Sequence, residues 1–336
     1  MTGGLAVDVI HEPTDFGALV PDWWGLWERS PSATPFQSPA WLTVWWQAFA
    51  PGELMAVTVR LGPRLVGLAP FYVEHQGGRD RLLPLGISIS DYQDILVDAE
   101  LKEPVLAAIS GAYAESHPGW QEWELPELPP GAAALELPCP RGCEASEDPS
   151  VPCPVIELPD SMEALGGLLS ARKRRSLRLL RHRLDRHGNA AVLHVGDRAP
   201  EWWVEQLCRL HGLCWSSRGQ AGVLADGRLR GFHADLMPAF AARGLLRLYA
   251  LSLGGNIAGV YYGFNHRRRA YGYLTGFDPA FAYYSPGSYL VWHAIGQAVV
   301  EGAREFHFLR GGEAYKYTWG AKDRWNKRRT FRKGAR

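Results

Sequence analysis

No stretch of the 336 residues approaches the ~20 consecutive apolar residues that a membrane-spanning helix requires. The opening MTGGLAVDVIHEP has neither a basic start nor a continuous apolar segment. No secretory leader is expected, and the sequence reads as a soluble, cytoplasmic protein. Metal-ligand spacing is missing as well. The 5 cysteines (Cys139, Cys143, Cys153, Cys208 and Cys214) form an odd set, and the 11 histidines follow no ligand pattern, so reduced thiols and no metal are expected. No serine stands in a nucleophile-elbow glycine pattern, which argues against a covalent acyl-enzyme. Net charge is close to nil, with 36 Lys/Arg against 35 Asp/Glu.

What the chain does have is apolar bulk and an uneven charge. Apolar residues make up 46% and aromatics 12%, enough for substantial packed cores, and the length allows two domains of ordinary size. Some of the 14 tryptophans are expected to line a cleft. Between Arg172 and Arg186 there is one acid among the arginines and Lys173, whereas Asp91 to Glu163 is acidic apart from Lys102 and Arg141. The tail from Lys322 is basic again. Such asymmetry points to a surface that meets a polyanion or a phosphate group.

Two internal echoes suggest duplication. Arg60-Leu-Gly-Pro-Arg-Leu-Val-Gly-Leu68 aligns with Ser252-Leu-Gly-Gly-Asn-Ile-Ala-Gly-Val260, each reading as strand, tight turn, strand. Gly119–Leu125 echoes Gly302–Phe308, each a helix end running into a strand. Around these anchors both halves read helix, helix, strand, strand, strand, helix, strand. The first half places helices at Asp22–Glu28, Pro39–Phe49 and Glu103–Ala114. The second places them at Glu201–Trp215, Leu229–Ala242 and Ser288–Glu301, the last with an apolar stripe at helical spacing. The Pro-, Gly- and acid-rich stretch Leu125–Pro159 reads as a connector with little regular structure, which puts a domain boundary near residue 150. The expected domains are 1–150 and 151–336. Ser170–Arg186 reads as an amphipathic helix with a Leu177/Leu180/Leu184 seam and an almost purely cationic wet side.

The order of elements is similar to the GNAT acyltransferase core. Phe232-His233, the run Gly244–Tyr249 with its Gly-Asn-Ile-Ala-Gly turn, Ser285-Pro-Gly-Ser-Tyr-Leu290 and Phe306–Lys316 resemble the FemAB/CelD-type acetyltransferase group. That resemblance implies an α/β (α+β) fold of two tandem GNAT-type domains, each a mixed, mainly antiparallel sheet flanked by helices. It also implies acyl transfer to nitrogen, with acyl-CoA as donor or, in the FemAB branch, an aminoacyl-tRNA. His307 stands where such proteins commonly carry an acid.

Candidate site residues follow from chemistry. The small loop Ser285, Gly287, Ser288 and Tyr289 opens a helix, where backbone N–H groups and partial positive charge favour a phosphate, and the resemblance implies that CoA's pyrophosphate lies there. Arg172, Lys173, Arg175 and Arg178 are the cationic candidates for the same carrier. The matching loop of the first half, Ser90–Asp94, is acidic and is expected to serve the acceptor, making its domain the acceptor side. Transfer from a thioester needs a neutral amine, so Asp91, Asp94 and Glu313 are candidate general bases. Tyr315 could protonate the leaving thiolate, and Lys316 could bind an acidic group of substrate or carrier. The leading expectation is an acyl-CoA-dependent N-acyltransferase working by direct transfer to a small-molecule amine. The alternatives are a FemAB-like ligase drawing on charged tRNA to extend a peptide or peptidoglycan precursor, and an inactive tandem GNAT protein that binds nucleic acid or a partner protein.

Overall fold

In the computed structural model, which describes residues 4–116 and 119–334, the chain divides into two units. Met1–Pro152 with Arg324–Arg336 forms the first, and Cys153–Asp323 the second. The basic tail therefore folds with the first unit, whereas a partition at residue 150 leaves it with the second.

The strands, in chain order, are β1 (Leu5–Ile10), β2 (Glu53–Leu61), β3 (Arg64–Gln76), β4 (Arg79–Pro84), β5 (Leu96–Val97), β6 (Glu122–Leu128), β7 (Cys143–Glu157), β8 (Ala190–His194), β9 (Leu246–Leu253), β10 (Asn256–His266), β11 (Arg269–Phe277), β12 (Glu305–His307) and β13 (Lys322–Lys333). The helices are α1 (Pro13–Ala18), α2 (Val20–Arg29), α3 (Pro39–Phe49), α4 (Lys102–Ser116), α5 (Met162–Leu168), α6 (Ala171–His187), α7 (Pro200–Ser216), α8 (Gly227–Ala242), α9 (Pro286–Val300) and α10 (Ala314–Tyr317).

The first unit orders its strands β1-β2-β3-β4-β6-β13, with β5 on β3. All neighbours are antiparallel except β4 and β6, which α4 joins as a parallel crossover. Helix α4 turns Val105, Leu106, Ile109 and Tyr113 inward, and the Tyr113 hydroxyl bonds the carbonyls of Met55 and Ala69. Gly67 permits the close approach: a Cβ there would lie 2.4 Å from Val105 Cγ1. The second unit repeats the plan as β8-β9-β10-β11-β12-β7, with β11 and β12 parallel across α9. The turns at Gly62 (φ 57°) and Gly254 (φ 58°) occupy the same place in the strand order of their units, which is where the sequence echo puts them.

One expectation fails. The stretch Leu125–Pro159 is not an irregular connector, because it completes β6 and forms the long strand β7. Pairing of β7 with β12 covers Val155–Glu157, beyond Pro149, Pro152 and Pro154, and Pro154 contributes its carbonyl to the Phe308 N–H. The basic tail is a strand whose charges meet acids of the same unit. Arg332 pairs with Glu122, Arg328 with Glu124, and Lys327 with Glu147.

Helices α7 and α9 cover opposite faces of the second sheet, and glycines set both contacts. A Cβ on Gly259 would meet Pro286 and Leu290 of α9, whereas one on Gly276 would lie 2.4 Å from the His211 amide nitrogen of α7. Backbone cannot swing aside as a side chain can. Gly276→Ala is therefore expected to cost about 1–3 kcal/mol of stability through overpacking, read as a lower urea midpoint at unchanged slope.

Candidate active site

The site is built where two parallel strands separate. Strand β12 pairs with β11 over three residues only, Arg269↔Glu305, Ala270↔Phe306 and Tyr271↔His307. Beyond Tyr271, β11 runs on to Phe277 without β12 beside it, and Gly272–Thr275 are half-buried. The chain after β12 turns away through Leu309 (φ 61°) and Gly311 (φ 104°).

Lys316 enforces that turn. Its side chain is 4% exposed, and its Nζ donates to the carbonyls of Leu309, Arg310 and Gly311 at 3.3, 2.6 and 3.0 Å. Glu313 completes the cage at 2.9 Å. With its ammonium occupied by the chain's own oxygens, Lys316 holds the loop rather than a substrate acid. Glu313 itself is largely exposed and stands at the N-cap position of α10 without a side-chain capping bond. Burial, reinforced by the Glu313 charge, pushes the Tyr315 hydroxyl up to about 12, so it remains protonated at neutral pH.

At the closed end of the fork, His307 Nε2 lies 2.9 Å from Glu305, and Arg269 reaches the same carboxylate at 3.3 Å. The His307 ring stacks on Tyr271. Glu305 is the acid that the reading of this strand passed over, and the two-residue spacing that puts it on the face of His307 is the signal that could have found it.

At the open end, α9 begins directly after a 3₁₀ turn, Pro279–Tyr284. Ser285 sits in the left-handed region (φ 44°) and no side chain caps the helix, so the first-turn N–H groups of Gly287 and Ser288 are offered outward. Ser288 is exposed and Tyr289 half-buried. A Cβ on Gly287 would make only ordinary contact, 3.6 Å from Phe277.

Helix α6 meets this loop with its C-terminal half. Arg183 donates to the Tyr283 carbonyl and stacks over its ring, and Arg181, Asp185 and Tyr289 border one groove. Arg172, Lys173 and Arg175 stand toward the other end, whereas Arg178 lines the same groove as Arg181. Lys173 lies over Trp319 and bonds Thr318, with burial pushing its pKa down to about 8. Arg172, Arg175 and Arg178 are exposed and form no ion pair among the described residues. The residues the sequence grouped around the α9 loop are thus not all brought to it, because α6 and α9 run antiparallel and the nearest cations are Arg181 and Arg183.

The remaining two carboxylates belong to the first unit. Asp94 accepts the N–H groups of Ile95, Ala133 and Ala134, tying the loop to a buried 3₁₀ turn. Burial pushes its carboxyl up to about 6 against the pull of those bonds and of Ser32. Enclosed in this way, Asp94 is a structural staple. Asp91 is buried beside it, and its carbonyl accepts from Asn326. Among the described residues, no three His, Cys, Asp or Glu side chains are grouped to hold a metal, and no helix is long and apolar enough to cross a membrane.

Residues 171–317, from the start of α6 to the end of α10, match the family model described as the acetyltransferase (GNAT) domain. Over its whole length the chain resembles the crystal structure of FemX, at 11% identity, 96% of each chain covered and a TM-score of 0.66. It also resembles the C-terminal domain of a putative lysylphosphatidylglycerol synthetase from Agrobacterium fabrum (10% identity; 95% and 92% covered; TM-score 0.57). L-PGS from Bacillus licheniformis follows at 13% identity, 81% and 82% coverage and a TM-score of 0.51. At such identities the likeness is one of fold. Over nearly its whole length the chain has the fold of these structures, and the segment matched by the GNAT domain model lies within its second unit. No curated protein matches it in sequence.

Burial also depresses four histidines: His211 and His293 to about 4, His233 and His266 to about 3. Unfolded, each would take up its proton near 6.5, so between there and about 4 the unfolded chain binds more protons than the native one. Their contribution to stability is present above pH 6.5 and lost as pH falls. Asp94 acts in the opposite sense, since its native form takes up a proton first, but four histidines outweigh one carboxyl. The urea midpoint is expected to be lower at pH 5 than at pH 7.

Proposed function

We propose that the second unit transfers an acyl group from acyl-CoA to a neutral amine by direct attack in a ternary complex. The observation that carries this reading is the coincidence of the GNAT match with the fork between β11 and β12 and with the uncapped start of α9. The CoA pyrophosphate would rest on the N–H groups of Gly287 and Ser288, with Ser285 and Tyr289 shaping the loop and Arg181 close by. The acyl arm would lie along the open edge of β11, whose backbone N–H groups can bond the thioester oxygen as negative charge develops on it.

As the amine attacks the thioester carbon, the carbon–sulfur bond breaks and the amine proton must leave. Glu313, exposed and only partly engaged by Lys316, is the candidate base in this unit, and Asp91 is the candidate on the first. The protonated Tyr315 hydroxyl is suited to supply the proton that the leaving thiolate takes up. Transfer occurs on the cytoplasmic side in this reading. A second reading, aminoacyl transfer from charged tRNA, is favoured by the FemX-like fold and by the unpaired arginines of α6.

Gly287→Val tests the first reading. The fold has room for the new Cβ, so the melting temperature should hold, while the branched side chain crowds the phosphate's approach to the backbone. Calorimetry should show CoA affinity weakened about tenfold or more, some 1.4 kcal/mol. Unchanged CoA affinity in the folded variant would move the carrier site elsewhere. Tight binding of charged tRNA, with no response to any acyl-CoA, would promote the second reading.

A further inference from the structure

Helix α6 leaves a groove along α9 that starts at Arg181, Asp185 and Tyr289, beside the loop of the proposed carrier site, and runs on past the reach of that site to Gly166 and Val300. Its volume is about 700 Å³, its floor is Leu177, Leu180 and Trp292, and its rim is Arg174, Arg178 and Arg181. That volume lies within the range of built small-molecule sites, which are likewise mostly apolar with a few placed polar groups. The outer face of α6 continues the charge. At 3.6 residues per turn, Arg175 and Arg186 fall opposite the buried Leu180 and Leu184, with Arg172 on the flank. None of the three has an ion pair among the described residues, and all are exposed.

The exposed apolar side chains of this region gather on the same helices. Leu179 stands 49% exposed among these arginines, Leu168 is 52% exposed at the end of α5, and Val300 is 72% exposed at the mouth of the groove. A solvated cationic helix does not require apolar side chains among its charges, nor an apolar trough behind its rim. Both are what a surface needs if it must meet anionic headgroups and the alkyl chains beneath them.

We propose that this face of the second unit docks on an anionic phospholipid surface, with the arginines of α6 on the headgroup phosphates and one acyl chain in the groove. RNA would satisfy the arginines but makes no use of the exposed Leu168, Leu179 and Val300, which is why the lipid is preferred.

The test is flotation of the intact protein with vesicles of phosphatidylcholine alone and of equal parts phosphatidylcholine and phosphatidylglycerol. Binding is expected only to the second. Each surface arginine contributes roughly a fivefold gain in partitioning, so the exposed triple variant R172A/R175A/R186A should bind on the order of a hundredfold more weakly. Gly166→Phe, at a groove position where nothing lies within 4 Å of the new Cβ, keeps every charge. It should lose the part of the binding that survives high salt. Equal binding to both vesicle types, or none to either, would overturn the proposal. So would an RNA oligonucleotide that binds α6 while the vesicles float without the protein. A triple variant that floats like the parent would locate the docking elsewhere and equally overturn it.

Discussion

The buried ammonium of Lys316 is the interaction on which the second unit's site depends. A charge so enclosed is tolerable only when nearly all its donors find oxygen. The three carbonyls from Leu309 to Gly311, with the Glu313 carboxylate, meet that demand. Meeting it requires two backbone positions with positive φ, and the path they impose leads the chain away from β11. The free edge of β11 beyond Tyr271 accompanies that path. A residue that looks like a substrate ligand in the sequence is engaged by the chain's own oxygens.

The two units solve the same packing problem in the same way. Each has antiparallel strands leading to one parallel crossover, and each completes its sheet with a strand from outside that run, β13 in the first unit and β7 in the second. What differs is the chemistry at the end of the crossover. The second unit presents Gly287 and Ser288 there, whereas the first presents the acidic loop around Asp91 and Asp94, which would repel a phosphate.

Local signals made much of this legible in the sequence. The Leu-Gly turns marked both hairpins, and the apolar stripe of α9 marked the crossover helix. The two completing strands were hidden for distinct reasons. Pro149, Pro152 and Pro154 disguised β7 as a connector, and the charge of β13 masked Asn326, Thr330 and Phe331, which point inward. At the site, the uncapped helix start was readable from Ser-Pro-Gly-Ser, but which end of α6 meets it was not. That depends on an antiparallel packing of α6 on α9 which no local pattern encodes. Asp94 shows the same limit, since one carboxylate looks like another until the three amides around it are seen.

The central claim is that the donor fills the gap left where β12 parts from β11. Amide hydrogen exchange with and without an acyl-CoA measures this directly. The account predicts new protection over residues 272–277 and at Gly287 and Ser288, with little change in the strands of the first unit. Protection confined to other segments, or none at saturating donor, would contradict it.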